Sequence, residues 1–197
     1  MSDINRKEES RKNGILLYIH DLLYWTAGIL IVFLLVFRII VVSGDSMYNT
    51  LVDGDYLLLI SNVFYQSPEQ GDIIVASKDS FDRGAPIIKR VIAVEGQTVD
   101  IDFEAGIVYV DGVALQEDYI YTPTNVREGM QFPLVVEPGC VFAMGDNRNE
   151  SRDSRSPEIG LVDTREILGK ALFLVLPAAD DRAGEQKPDF SRIGVIK

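Results

Sequence analysis

The chain has 197 residues, a net charge of −11, 47% apolar side chains and 25% charged ones, the proportions of a folded protein rather than a disordered one. The charge is uneven: residues 1–43 carry five Lys/Arg against four Asp/Glu, whereas residues 44–197 carry 14 against 26. An acidic portion of net −12 repels a phosphate backbone, which excludes nucleic acid as a partner and requires any contact with anionic lipid to be apolar.

Leu22–Val42 holds one charge, Arg38, and its 21 residues match the ~20 needed to span a bilayer core as a helix. A cleaved signal peptide has a shorter apolar stretch and a small-residue cleavage site, which Ser43-Gly44-Asp45 does not supply. Residues 1–21 carry four Lys/Arg and residues 43–62 carry none, so the N-terminus is expected in the cytoplasm. The expected organisation is a cytoplasmic segment over 1–21, a transmembrane helix over 22–42 and an extracytoplasmic domain over 43–197. Arg38 is expected to snorkel to the headgroups. At the end of the span, Ser43-Gly44-Asp45-Ser46-Met47 forms a Gly-containing turn that presents the Ser46 hydroxyl at the membrane–water boundary.

Beyond Ser46, short alternating or all-apolar runs broken by Gly, Asp, Asn and Pro predict strands. They fall at Tyr56–Ile60, Asp72–Ser77, Ile87–Val94, Thr98–Ile101, Ile107–Val110, Cys140–Met144 and Gly169–Leu176. Asp111-Gly112 predicts a two-residue hairpin. The fold class is mostly β, an antiparallel barrel or sandwich preceded by one transmembrane helix. Residues 178–190 are polar and read as a mobile loop before a last apolar patch, Ile193–Ile196. The one cysteine, Cys140, reads as a small buried hydrophobe.

The single histidine, His20, is expected on the cytoplasmic side of the span, so a Ser-His-Asp triad cannot form around Ser46. No zinc motif, phosphate loop or nucleotide fingerprint occurs, and neither metal nor cofactor is expected. A base for Ser46 must then be Lys, Asp, Glu or Tyr. In Pro86–Val94, alternation places Ile87, Lys89, Val91 and Ala93 on one face. Lys89 among apolar neighbours fits a desolvated lysine of lowered pKa, and equally a lysine snorkelling from or guarding an edge strand. The run Gly145–Arg155 fits a solvated loop or a polar scaffold.

In order, the span, Gly44-Asp45-Ser46-Met47 with Thr50-Leu51, Gly71-Asp72-Ile73-Ile74-Val75, Ile88-Lys89-Arg90-Val91 with Gly96, and Gly145-Asp146-Asn147-Arg148 followed by Ser151, Asp153, Ser154 and Arg155 resemble the type I signal peptidases. The tail, Phe190-Ser191-Arg192-Ile193-Gly194-Val195-Ile196, is similar as well. Gly44-Asp45 and the short interval between Lys89 and Asp146 resemble the Gram-positive branch. The resemblance implies a membrane-bound serine endopeptidase that removes signal peptides from exported preproteins, with the lipid bilayer and those preproteins as partners. It implies Ser46 as nucleophile, Lys89 as general base, Ser151 orienting the lysine amine and Asp153 supporting the site. Asp146, Arg148 and Arg155 would form structural ion pairs. The Ser46 N–H would serve an oxyanion hole whose second donor, with Gly44 two places earlier, must be backbone or water. Val42, Met47, Leu51, Ile87 and Ile88 would line pockets for small residues at −1 and −3. Asn49 stands where the family has proline, and a looser turn is expected there. Two other readings are a membrane-tethered β domain that binds without catalysis and a relative of the self-cleaving repressor peptidases. The span argues against the latter.

Overall fold

A computed structural model describes residues 2–78 and 80–196. It divides into two compact units at Phe37/Arg38. The first is helix α1, Ser2–Val36, within which the 23 residues Gly14–Val36, of mean hydropathy 2.0, are long and apolar enough to cross a membrane. The expected helix over 22–42 is therefore displaced at both ends. The apolar stretch begins earlier because Ile15–Ile19 extends it past the polar pair His20-Asp21. His20 accordingly falls within this apolar stretch rather than before it. The helix ends at Val36 because the next residues form strand β1 (Phe37–Val41), where β-branched Ile39, Ile40 and Val41 favour the extended backbone. A continuous apolar run does not by itself distinguish helix from strand. Arg38, exposed on β1, is a strand residue and not part of the helix.

The second unit contains β2 (Tyr56–Ser61), β3 (Ile73–Ser77), β4 (Pro86–Val94), β5 (Thr98–Asp102), β6 (Ile107–Val110), β7 (Val113–Ala114), β8 (Leu134–Val135), β9 (Cys140–Met144), β10 (Val162–Asp163), β11 (Ile167–Leu176) and β12 (Gly194–Val195). One sheet has the order β1-β2-β11-β3-β4-β9-β10, with β12 also on β11, and a smaller sheet runs β7-β6-β5-β8. At the β6–β7 hairpin, Asp111 and Gly112 take positive φ values of 51° and 77°, which the two-residue turn requires.

Strand β4 lies in the interior of its sheet, antiparallel to β3 on one side and β9 on the other, so Lys89 is not an edge residue. Ile74 of β3 stands opposite Lys89. Ile74, Ile87 and Val91 belong to one buried cluster, as alternation from Lys89 predicts. A register shift between Val91 and Ala93 then breaks the alternation. Ile92 and Ala93 both enter a different core, against Phe103, Phe142 and the smaller sheet, so Ala93 leaves the group expected around Lys89. Cys140 packs half-buried against that core, and burial pushes its thiol pKa up, as suits an inert side chain.

Residues 178–184, expected as part of a mobile loop, are tied down. Ala178 N–H donates to Asp55 Oδ1 at 2.8 Å and the Tyr48 hydroxyl to Asp180 Oδ2 at 3.2 Å. Buried Asp55 also pairs with Arg192 (2.6 Å), which holds the tail beside β11.

Candidate active site

Gly44, at φ 83°, turns the chain after β1, and its N–H donates to Asp53 Oδ1 at 2.7 Å. The turn is closed by Tyr48 N–H to Asp45 O (3.0 Å) and by Thr50 and Leu51 N–H to Met47 O (3.0 and 2.9 Å). Met47 and Leu51, each 1% exposed, anchor the turn in the core beneath β2 and β11. Asn49 is exposed, and its N–H makes no hydrogen bond among the described residues. Main-chain bonds thus close the turn with Asn49 in place.

The anchored turn leaves Ser46 half-buried, with Oγ 2.7 Å from Lys89 Nζ. Lys89 is 5% exposed and also donates to Ile88 O at 2.9 Å. Burial lowers its amine from 10.5 to about 8. The carboxylates of Asp153, Glu128 and Asp146 work against that shift, and Arg155 reinforces it.

The 145–155 segment is a buried polar scaffold. Asp146 accepts from Arg90 Nε (2.9 Å) and Nη2 (2.7 Å) and from the Thr50 hydroxyl. Arg148 forks onto Glu117 (3.1 and 2.6 Å) and donates to Thr124 Oγ1 and Gly145 O. Arg155 pairs with Asp153 (2.8 Å) and Glu128 (3.2 Å). Arg90, Arg148 and Arg155 are all at most 2% exposed, so each guanidinium depends on its carboxylate for compensation. Asp153 Oδ2 also accepts from Gly145 N–H at 3.0 Å. Asn147 ties the loop to the Ser46 turn, donating from N to Ser46 O (3.0 Å) and from Nδ2 to Asp45 O (3.1 Å).

Two sequence expectations need correction. Ser151 Oγ is buried near Ser46 but makes no hydrogen bond among the described residues, to Lys89 or otherwise. Leu51 is a core residue and does not line the groove. That groove, of about 460 Å³, is lined by Val42, Met47, Ile87 and Ile88, together with Ile40, Phe81 and Arg152 beside Ser46 and Lys89. In the sequence Arg90 stands out only within Ile88-Lys89-Arg90-Val91, with no partner role, and Glu117 and Glu128 are not singled out. Arg90 carried a signal, since a charge next to Lys89, on the opposite face of an otherwise apolar strand, needs a buried carboxylate. Glu117 and Glu128 lie in irregular chain with no periodicity to mark them.

A family model described as signal peptidase, peptidase S26, matches residues 15–176. A probable signal peptidase I-1 of Synechocystis sp. is 42% identical over 70% of this chain and 70% of its own length. The signal peptidase I of Bacillus amyloliquefaciens is 33% identical over 72% of this chain and 75% of its own. A solved signal peptidase I from Enterococcus faecalis is 30% identical, with a TM-score of 0.43, over 53% of this chain and 96% of that one. The chain belongs to the signal peptidase family, peptidase S26, serine peptidases that cleave signal peptides from preproteins.

Proposed function

We propose that this chain performs signal-peptide cleavage through a Ser46–Lys89 dyad, with Ser46 Oγ as nucleophile and Lys89 as general base. The observation that carries this reading is the 2.7 Å approach of a buried lysine amine to the serine hydroxyl. At its ordinary value a lysine holds almost no free amine at neutral pH, whereas at about 8 it holds roughly a tenth at pH 7.

The neutral Lys89 amine takes the Ser46 proton as Oγ bonds to the scissile carbonyl carbon. The oxyanion faces the Ser46 N–H, which makes no hydrogen bond among the described residues. The Gly44 N–H is taken by Asp53, so a second donor has to be another backbone group or water. The Lys89 ammonium then protonates the departing amine as the peptide C–N bond breaks, leaving an acyl ester on Ser46. Lys89, neutral again, takes a proton from water as its oxygen attacks the ester. The ammonium returns that proton to Ser46 Oγ as the signal peptide leaves.

The groove lined by Val42, Met47, Ile87 and Ile88 supports selection of small residues at −1 and −3, since larger side chains would meet its apolar walls. Arg6, Lys7, Arg11 and Lys12 precede the apolar helix and Arg38 alone closely follows it, which supports a cytoplasmic N-terminus and an extracytoplasmic catalytic domain. The test is incubation of the detergent-solubilised full chain with a preprotein bearing an A-x-A site, followed by sequencing of the new N-terminus. Ser46→Ala and Lys89→Ala are expected to be folded and inactive. Cleavage by either variant at the wild-type rate overturns the reading.

A further inference from the structure

The segment following β11 reaches back to the Ser46 turn. Asp180 Oδ1 accepts from Arg182 N and Ala183 N, both at 3.1 Å, and its main-chain carbonyl accepts from Glu185 N at 2.9 Å. Its other carboxylate oxygen accepts from the Tyr48 hydroxyl. The turn so formed presents Arg182, whose Nη2 lies 2.7 Å from Asp45 Oδ2 and 2.5 Å from Glu150 Oε2. The guanidinium carbon is 5.4 Å from the centre of the Tyr48 ring. Asp45 immediately precedes Ser46, and Glu150 immediately precedes Ser151.

We propose that Arg182 is a positioning residue that holds the Ser46 turn and the Ser151 loop at a fixed separation by bridging Asp45 and Glu150. The inference rests on the Ser46–Lys89 reading. Asn147 joins the same two segments through main-chain carbonyls and the Thr50 hydroxyl joins them through Asp146, and Arg182 adds a further tie between charged side chains. The three side chains are between about one-third and about one-half exposed, so salt screens this tie. Arg182 does not line the groove, and its loss therefore acts on the geometry of attack rather than on substrate binding. Both carboxylates meet the one Nη2, which carries two N–H donors in the guanidinium plane; a lysine ammonium keeps the charge but not that planar placement, and so reproduces the tie only in part.

The experiment compares kcat and KM of the full chain in detergent, at low salt and at about 1 M salt, for wild type, Arg182→Gln, Arg182→Lys, Glu150→Gln and the Arg182→Gln/Glu150→Gln double variant. Arg182→Gln is expected to lower kcat about 3- to 10-fold at low salt, with KM within about twofold, and Arg182→Lys to restore part of the loss. The gap from wild type narrows at high salt, and Glu150→Gln adds nothing once Arg182 is gone. Wild-type kcat for Arg182→Gln at low salt, an effect confined to KM, or a fully additive Glu150→Gln each overturns the proposal. Ser46→Ala run alongside separates the two claims. If it still cleaves, the dyad reading fails; if it is inactive while Arg182→Gln matches wild type, only the role of Arg182 fails.

Discussion

Arg90 donates from Nε and Nη2 to the two oxygens of Asp146, at 2.9 and 2.7 Å, with both side chains essentially buried. Arg90 follows Lys89 in β4, so this fork fastens the 145–155 loop to the strand that carries the amine. It is a charge-assisted pair in planar geometry, further braced by the Thr50 hydroxyl on the same carboxylate. Asp146→Asn keeps the shape and removes the charge opposite a buried guanidinium. Removing one member of such a pair costs about 3 kcal/mol, and the thermal midpoint is expected to fall by about 10 °C in a melt beside wild type.

The acid limb of kcat/KM should fall near pH 8, where the Lys89 amine loses its proton. Glu128 is pushed up to about 7, chiefly by burial and next by Asp153, so it is mostly ionised at that limb and stabilises the ammonium. Glu128→Gln removes this negative charge, and the acid limb should move to lower pH. A pH–rate profile of the variant checks the direction; a limb that stays in place or rises contradicts it.

The same burial predicts an effect on stability. The Lys89 amine titrates near 8 in the folded chain and near 10.5 in the unfolded one. Between these values the unfolded chain binds more protons, so stability rises with pH; below about 8 both states are protonated and the penalty is felt in full. The gap amounts to roughly 3 kcal/mol. Lys89→Met should therefore stabilise the protein at pH 7 by roughly 2–3 kcal/mol, with the gain shrinking as pH rises toward about 10.5. Thermal unfolding of both proteins at pH 7 and pH 10 measures the trend.

Local pattern made much of this molecule readable. Period-two alternation marked β4 and the apolar company of Lys89, and Asp111-Gly112 marked its hairpin. What the sequence hid depended on contacts distant along the chain. Phe37–Val41 becomes strand because β2 is there to pair with it, which a run of Ile and Val does not reveal. The register shift at Val91/Ala93 is set by β9. Glu117, Glu128 and Arg182 lie in irregular segments, where only the folded chain shows which cation or carboxylate each one meets.

Asn49 offers a direct test of the turn. Its φ is not positive, its side chain is exposed and its N–H donates to no group among the described residues, so proline there removes no hydrogen bond. Asn49→Pro should leave kcat unchanged and raise stability by about 0.5 kcal/mol through the unfolded state. A drop in activity would show that the turn needs a backbone conformation that proline forbids.

Gly145 sits where the loop passes closest to the Ser46 turn. A methyl group at this position would collide with both Ser151 Oγ and the Ser46 carbonyl oxygen. The carbonyl belongs to the residue whose Oγ meets Lys89, and its place is set by the Asn147 N–H at 3.0 Å. The Ser151 hydroxyl can rotate away, but the Ser46 carbonyl is main chain and cannot, so the turn itself has to move. A displacement of ~1 Å between reacting groups costs ~100-fold in rate. Gly145→Ala should accordingly lower kcat by about that factor while the sheet domain stays folded, because the collision lies at the loop and outside the three hydrophobic cores. Circular dichroism paired with cleavage kinetics separates the two effects. Wild-type kcat in a folded Gly145→Ala protein would show that the Ser46 turn tolerates the shift.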